Sequence, residues 1–407
     1  MTGIITPASS KLEKAKSSVF QLDRVLTIIS AHFTHDTFTA FLAPLLPSLI
    51  DKLSLSYTQA GSLAAFTQLP SLLNPIIGYL DDKINLPFLV ALAPAVTATM
   101  MSLLGISPNY LSLVVLLFIT GLSSAGFHSI APAMIARSSG KQVGKGMSMY
   151  MAAGELGRTV GPLLASWALL TLTLGKMFPL AVIGWIASLA IFIRFRGIPV
   201  HVEKQNSIRE VLPIVRRLFI PLVGIALFRS FLITGLGVYL PTLLEGEGAS
   251  IWKAGSTLAI YQFAGVIGAF LGGTVSDKLG RKPVLLTVSF LAPITVLIFL
   301  RSSGWLIIPI LIVSGLLNLS AQPILLAIVQ DHFPTHRSVG NGLYITFNFI
   351  CLSLSAIGIG ILADQMGLHQ AFEWTAFSGF IATFLVLLLP KAPNSPLKQT
   401  SYETMNK

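Results

Sequence analysis

The sequence predicts an all-α membrane protein: twelve transmembrane helices in two pseudo-symmetric six-helix bundles. Three observations carry that expectation. The 407 residues are 53% hydrophobic and only 11% charged, where soluble domains average about 25% charged. About twelve apolar runs each approach or exceed the roughly 20 residues that cross a hydrocarbon core. A short acidic and basic hairpin between two such runs occurs twice, about 195 residues apart.

The runs fall at 22–50, 57–80, 86–106, 109–136, 145–174, 177–196, 217–244, 251–275, 283–301, 305–330, 337–364 and 370–390. Most connections are short. The exception, 197–216, is polar and basic (His201, Glu203, Lys204, Gln205, Asn206, Arg209, Glu210) and divides the spans six and six. The expected organisation is a tail at 1–21, a first bundle at 22–196, a linker at 197–216, a second bundle at 217–390 and a tail at 391–407. The bundles read as copies. Leu46-Pro47-Ser48-Leu49 matches Leu240-Pro241-Thr242-Leu243, Ala60-Gly61-Ser62 matches Ala254-Gly255-Ser256, and Gln68 matches Gln262, all at an offset of 194. Gly78 and Asp82 match Gly273 and Asp277 at 195. Random apolar composition would not hold one register through polar and glycine positions. Duplicated bundles place a binding site near the bilayer midplane, where the repeats meet.

Mean hydropathy is +0.78, so the bilayer is the expected solvent. The net charge of +11 could suggest a nucleic-acid partner, but its distribution argues otherwise. With these spans, about 21 of the 27 Lys and Arg fall on one side of the membrane, among them Lys11, Arg24, Lys141, Arg194 and Lys204. Lys52, Lys176, Lys253 and Arg301 fall on the other. That asymmetry puts both termini in the cytoplasm and requires no acidic partner. The single cysteine, Cys351, excludes an internal disulfide. Residues 1–21 show no apolar core with a cleavage site, so no removable signal peptide is expected.

The hairpin Gly273-Thr274-Val275-Ser276-Asp277-Lys278-Leu279-Gly280-Arg281-Lys282, following an eighth span, resembles the signature loop of the major facilitator superfamily. Gly78-Tyr79-Leu80-Asp81-Asp82-Lys83 is its worn copy. Gly157-Arg158-Thr159-Val160-Gly161-Pro162 in span five resembles the Gly-Pro motif of the superfamily's antiporters. The resemblance covers essentially the whole chain. More narrowly, the chain resembles the fosmidomycin-resistance branch. The marks are His32 and Asp36 in span one, Asp82-Lys83 without a following Gly-Arg, Ser123-Ser124 with Phe127-His128 in span four, and Gly161-Pro162-Leu163-Leu164. Two departures stand out. Ser129 follows His128 where the branch usually has proline, and span four lacks the mid-helix arginine typical of drug antiporters.

Ionisable groups inside a membrane cost about 2.5 kcal/mol or more, so each calls for a reason. His32 and Asp36 are four apart and share a helix face, with His35 beside them. They read as a proton site, or as a hydrogen-bonded patch steadying a bend near Pro44 and Pro47. Glu155 and Arg158, three apart in span five, read as a charge switch or as a neutralised structural pair. His128, near Pro132, has Gln322, beside Pro323, as its repeat counterpart; both read as cavity lining, with simple packing as the alternative for His128. Arg229 in span seven, the counterpart of His35, must face water, a carboxylate of another helix or an anionic ligand. Gln262 is a weaker lining candidate.

Gly154, Gly157 and Gly161 have small-xxx-small spacing, which lets span five press on a neighbour; Pro162 extends that packing motif. The two hairpins read as a gate or as topology anchors, through Gly78, Asp82, Lys83 and Arg137 in one copy and Gly273, Asp277, Lys278, Gly280, Arg281 and Lys282 in the other. No metal-ligand spacing, Walker phosphate loop or nucleophile elbow is present.

The resemblance implies a transporter rather than an enzyme, a monomer in the inner or plasma membrane, with no cofactor. It implies proton-coupled efflux by alternating access of the halves. The excess of Arg158, Arg229, His32 and His128 over Asp36 and Glu155 points to a small anionic or zwitterionic cargo. A proton-coupled importer and a lipid or lysolipid flippase share the fold and remain alternatives.

Overall fold

A computed structural model of the chain describes residues 19–84, 86–195, 212–333 and 337–390. Among them every regular element is helical. Span one is α1 (Leu22–Thr39) and α2 (Leu42–Leu53). Span two is α3 (Tyr57–Gln68), a 3-10 stretch (Leu69–Leu73) and α4 (Asn74–Ile84). Spans three to six are built on α5 (Pro87–Leu103), α6 (Tyr110–Ser138), α7 (Val143–Leu172) and α8 (Ala181–Phe195). Span seven is α9 (Leu212–Thr234), a π-helical segment (Gly235–Tyr239) and α10 (Leu240–Gly246). Spans eight to twelve are built on α11 (Ile251–Leu279), α12 (Arg281–Leu300), α13 (Ile307–His332), α14 (Arg337–Met366) and α15 (Leu368–Leu387). The tails and nearly all of the 197–216 linker lie outside the described residues.

Proline chemistry explains the interruptions. Span one is expected as one bent helix, but it breaks at Ala40 and Phe41. The Pro44 ring would meet the carbonyl of residue 40 in a continuous helix. Restarting at Leu42 puts Pro44 in a first turn, where its missing N–H costs nothing. Pro70 and Pro75 likewise stand near the starts of the 3-10 stretch and of α4. Pro241 has no N–H for the Gly237 carbonyl, and the wider π turn just before it absorbs the mismatch. Gly280, at φ +95°, turns the chain between α11 and α12 in a conformation that side chains avoid.

Among the described residues, nine spans are long and apolar enough to cross a bilayer. Spans one, two and five fall short of that measure. Helix breaks shorten the first two, and ionisable groups in α1 and α7 lower the hydropathy.

Contacts divide the chain into two compact units. The first holds the described residues of 1–203 with Gly237–Phe263. Its core includes Val25, Ile28, Val90, Phe127, Ile130, Ile135 and Tyr150. Glycines set its closest helix approaches. A Cβ on Gly121 would lie 2.5 Å from the Thr67 carbonyl oxygen, and one on Gly184 2.3 Å from that of Pro94. Within this unit the Tyr239 hydroxyl donates to the Tyr57 carbonyl at 3.0 Å. The second unit holds the described residues of 204–236 with those of 264–407. Its core includes Leu222, Ile225, Leu285, Ile324, Val329 and Phe333. There Gly265, Gly268 and Gly272 seat α11 on α13: a Cβ on Gly268 would lie 2.2 Å from the Leu316 carbonyl oxygen. The spacing of Gly265, Gly268 and Gly272 carries that signal in the sequence.

Candidate functional site

The site is built where α7 lies on α1. A Cβ on Gly154 would lie 2.3 Å from Cε1 of His32. On Gly157 it would lie 2.4 Å from the Phe33 carbonyl oxygen, and on Gly161 2.4 Å from that of Thr37. The small-residue stripe of span five therefore presses on span one, as its spacing predicts for some neighbour. Pro162, buried in α7, cannot donate to the carbonyl of residue 158, which loosens the helix at Arg158.

This approach surrounds one carboxylate. Asp36 is 2% exposed. Its Oδ2 lies 3.2 Å from Nε of Arg158 and 3.4 Å from Nε2 of His32. Its Oδ1 lies 3.5 Å from Nε2 of His128 and 4.0 Å from Nε2 of His35. Arg158 also reaches Glu155, Nη2 to Oε1 at 3.4 Å. So the i,i+3 pair expected within α7 exists, and a second acid from α1 competes for the same guanidinium. The histidines are held from behind. His32 Nδ1 lies 2.8 Å from the Tyr150 carbonyl oxygen, and its ring stacks on Tyr150 at 3.9 Å. His35 Nδ1 lies 3.0 Å from the Thr97 hydroxyl, which continues to Ser123. His128 Nδ1 lies 3.4 Å from the Tyr150 hydroxyl. Tyr150 supports two of the three rings, and nothing in the sequence pattern singled it out.

The environments differ. Asp36, His32 and His35 are buried, whereas the Arg158 side chain is 45% exposed and that of His128 32%. Arg158 stands at the middle of a 30-residue helix. A guanidinium at that depth does not face hydrocarbon without severe cost, so its open side belongs to water.

The other candidates lie outside this cluster. Arg229 is 2% exposed; it donates to the carbonyl oxygens of Asn318 at 2.8 Å and Leu317 at 3.3 Å and to the Ser289 hydroxyl at 3.3 Å. These contacts tie α9 to α12 and α13; they do not form an open cavity wall. Gln322 is exposed and Gln262 half-buried. In the hairpins, Arg281 joins Asp277 and reaches Asp331 at 3.5 Å, while Lys282 donates to the carbonyls of Leu387 and Leu389. Asp331, at the end of α13, is a partner that sequence reading missed. In the first copy the buried acid is Asp81, which accepts from the Leu86 N–H at 2.7 Å. Lys83 lies over the Tyr79 ring, Arg137 and Lys278 are exposed, and the Asp82 side chain lies outside the described residues. Packing does not demand glycine at Gly78 or Gly273; a Cβ there would meet nothing closer than 3.9 Å.

The sequence shows no metal-ligand spacing, yet the fold assembles one. His32, Asp36 and His128 each offer a ligand atom, all within 4.8 Å of one another. Two come from α1 and one from α6, which is why linear spacing hid it.

Helices of membrane-spanning length and apolarity, with ionisable groups gathered inside their packing, define an integral membrane protein. Residues 28–356 and 254–403 match the model of the Major Facilitator Superfamily, and the chain belongs to that superfamily. It is an integral membrane transporter of the cell membrane. The fosmidomycin resistance protein of Escherichia coli K12 is 26% identical over 94% of this chain and 96% of its own length. An uncharacterised transporter of the same type from Bacillus subtilis 168 is 26% identical over 95% and 97%. Among solved structures, an inward-facing bacterial homolog of the human lysosomal transporter Spinster superposes with TM-score 0.77 at 14% identity, covering 93% of this chain and 99% of that one. A D-xylose–proton symporter superposes with TM-score 0.72 at 15% identity, over 93% and 100%. These two speak for the fold alone.

Proposed function

We propose that this transporter exports a small anionic or zwitterionic compound in exchange for protons, by alternating access of the halves 22–196 and 217–390. The carrying observation is that one guanidinium, Arg158, is shared between Asp36 and Glu155 and open on its remaining side. An anionic cargo and Glu155 compete for that open side. A proton on Glu155 or a cargo anion at Arg158 each breaks the pair, and the carrier crosses with one or the other but not both, so cargo leaves as a proton enters. Two unit charges about 4 Å apart at an effective dielectric of about 20 interact by about 4 kcal/mol. Inverting a two-state balance from 1:99 to 99:1 takes about 5.5 kcal/mol. The Glu155 pair, partly exposed and therefore weaker than that figure, biases the carrier without flipping it alone.

The likeness to the fosmidomycin resistance protein supports the outward direction, and the polar groups serve passage rather than catalysis. The protein works as a monomer with both termini in the cytoplasm, and the pairing of Arg281 with Asp277 and Asp331 steadies the gating loop. The test is a reconstituted assay. Proteoliposomes with an imposed pH gradient are given radiolabelled phosphonate or carboxylate solutes and, separately, lipophilic cations. Anion movement against the proton flux is expected, with Arg158→Gln reducing it at least tenfold. Movement with the proton flux makes the protein an importer, and transport of cations only refutes the cargo assignment.

A further inference from the structure

We infer that the Asp36 cluster is a binding site for a divalent transition-metal ion of borderline softness, the class of Zn2+ and Co2+, with Nε2 of His32 and His128 and the carboxylate of Asp36 as protein donors and water completing the shell. This goes beyond the transport reading and depends on neither its direction nor its cargo.

The argument starts from the tautomers. A carbonyl oxygen only accepts, so the 2.8 Å contact with the Tyr150 carbonyl puts a proton on Nδ1 of His32. In the neutral ring, Nε2 then carries a lone pair, and it faces a carboxylate. His32 Nε2, His35 Nε2 and Asp36 Oδ1 are buried and make no hydrogen bond. Buried acceptors left facing one another are costly unless something positive stands among them. The separations of the two ligand imidazoles from the carboxylate, 3.4 Å from Oδ2 for His32 and 3.5 Å from Oδ1 for His128, exceed the roughly 2.7–2.9 Å of a charged N–H to oxygen bond. They approach the edge of a tetrahedral metal shell, about 3.3 Å for bonds of about 2.0–2.1 Å.

The surroundings have the form that supports metal ligands. Each imidazole presents Nε2 inward while Nδ1 meets an oxygen: the Tyr150 carbonyl, the Thr97 hydroxyl and the Tyr150 hydroxyl. Such outer contacts fix ring orientation and raise ligand basicity. The nearest cation, Arg158, takes the other carboxylate oxygen, Oδ2, and its charge is matched by Glu155. Oδ1 is therefore left for an ion. His128 is one-third open, which gives an entry path from the water that also reaches Arg158.

The test uses tag-free full-length protein in detergent, because a polyhistidine tag would bind the probe. Co2+ is titrated and followed by visible absorption, then displaced by Zn2+. One saturable equivalent with the intense bands of a four-coordinate nitrogen and oxygen site is expected. His128→Ala, which removes a partly open side chain, should weaken Co2+ binding by at least about tenfold. Asp36→Asn should do the same, and His369→Ala, at a helix start far along the chain, should leave it unchanged. Size-exclusion and circular dichroism establish that each variant is folded. Monodisperse wild-type protein without saturable Co2+ binding, or folded His128→Ala and Asp36→Asn variants that bind like wild type, overturns the inference and leaves the cluster to protons. Because no transport is measured, failure here is separate from failure of the export reading.

Discussion

In span one, Asp36 sits 3.2 Å from a guanidinium and within 4.0 Å of three imidazoles. In span seven, Arg229 holds the repeat position of His35, yet the donors it offers turn to two backbone carbonyls and a serine hydroxyl of α12 and α13. Both centres lie deep in helical packing, and both satisfy a costly group. The first does so with side chains whose charges can change or exchange partners. The donors described for the second go to uncharged groups, two of them backbone carbonyls. The repeat has thus kept the position of a buried polar group while separating a centre suited to switching from one suited to holding helices together.

Three substitutions test that contrast, in descending order of effect. Asp36→Ala removes the anion shared by Arg158 and the imidazoles; losing one partner of a buried pair costs about 3–5 kcal/mol. Thermal unfolding in detergent should show the loss, and transport should vanish. Arg229→Leu leaves two carbonyls that already serve the α13 ladder, so the cost is about 1–3 kcal/mol, with transport per folded molecule within a few-fold of wild type. If Arg229→Leu abolished transport in well-folded protein, the two centres would be functionally alike and the contrast would collapse. Asp331→Asn touches a half-exposed pair and should change stability by less than about 1 kcal/mol. Its effect belongs in the transport rate, and an unchanged turnover would reduce the Arg281 pairing to a topology anchor.

The sequence made the span count readable because roughly 20-residue apolar runs admit few other interpretations. It also placed His32 with Asp36 and Glu155 with Arg158, since spacings of four and three fix a shared helix face. It did not show that those two pairs are one cluster. That required knowing that the Gly154, Gly157 and Gly161 stripe meets α1 rather than another helix, and a stripe of small residues names no partner. Tyr150 stayed invisible because part of its role runs through a backbone carbonyl, which every residue has. The acceptors of Arg229 were illegible for a related reason: they include carbonyls near Pro323, and only tertiary packing brings them within reach. The break at Ala40 and Phe41 was displaced from the expected bend because a proline disturbs the turn before it.

The glycine contacts between α7 and α1 have a mechanical consequence. With Gly157 against the Phe33 carbonyl and Gly161 against that of Thr37, the two rods touch backbone to backbone with no side chain between them. A seam this close favours their swinging as one lever, with the Asp36 and Arg158 contact carried along.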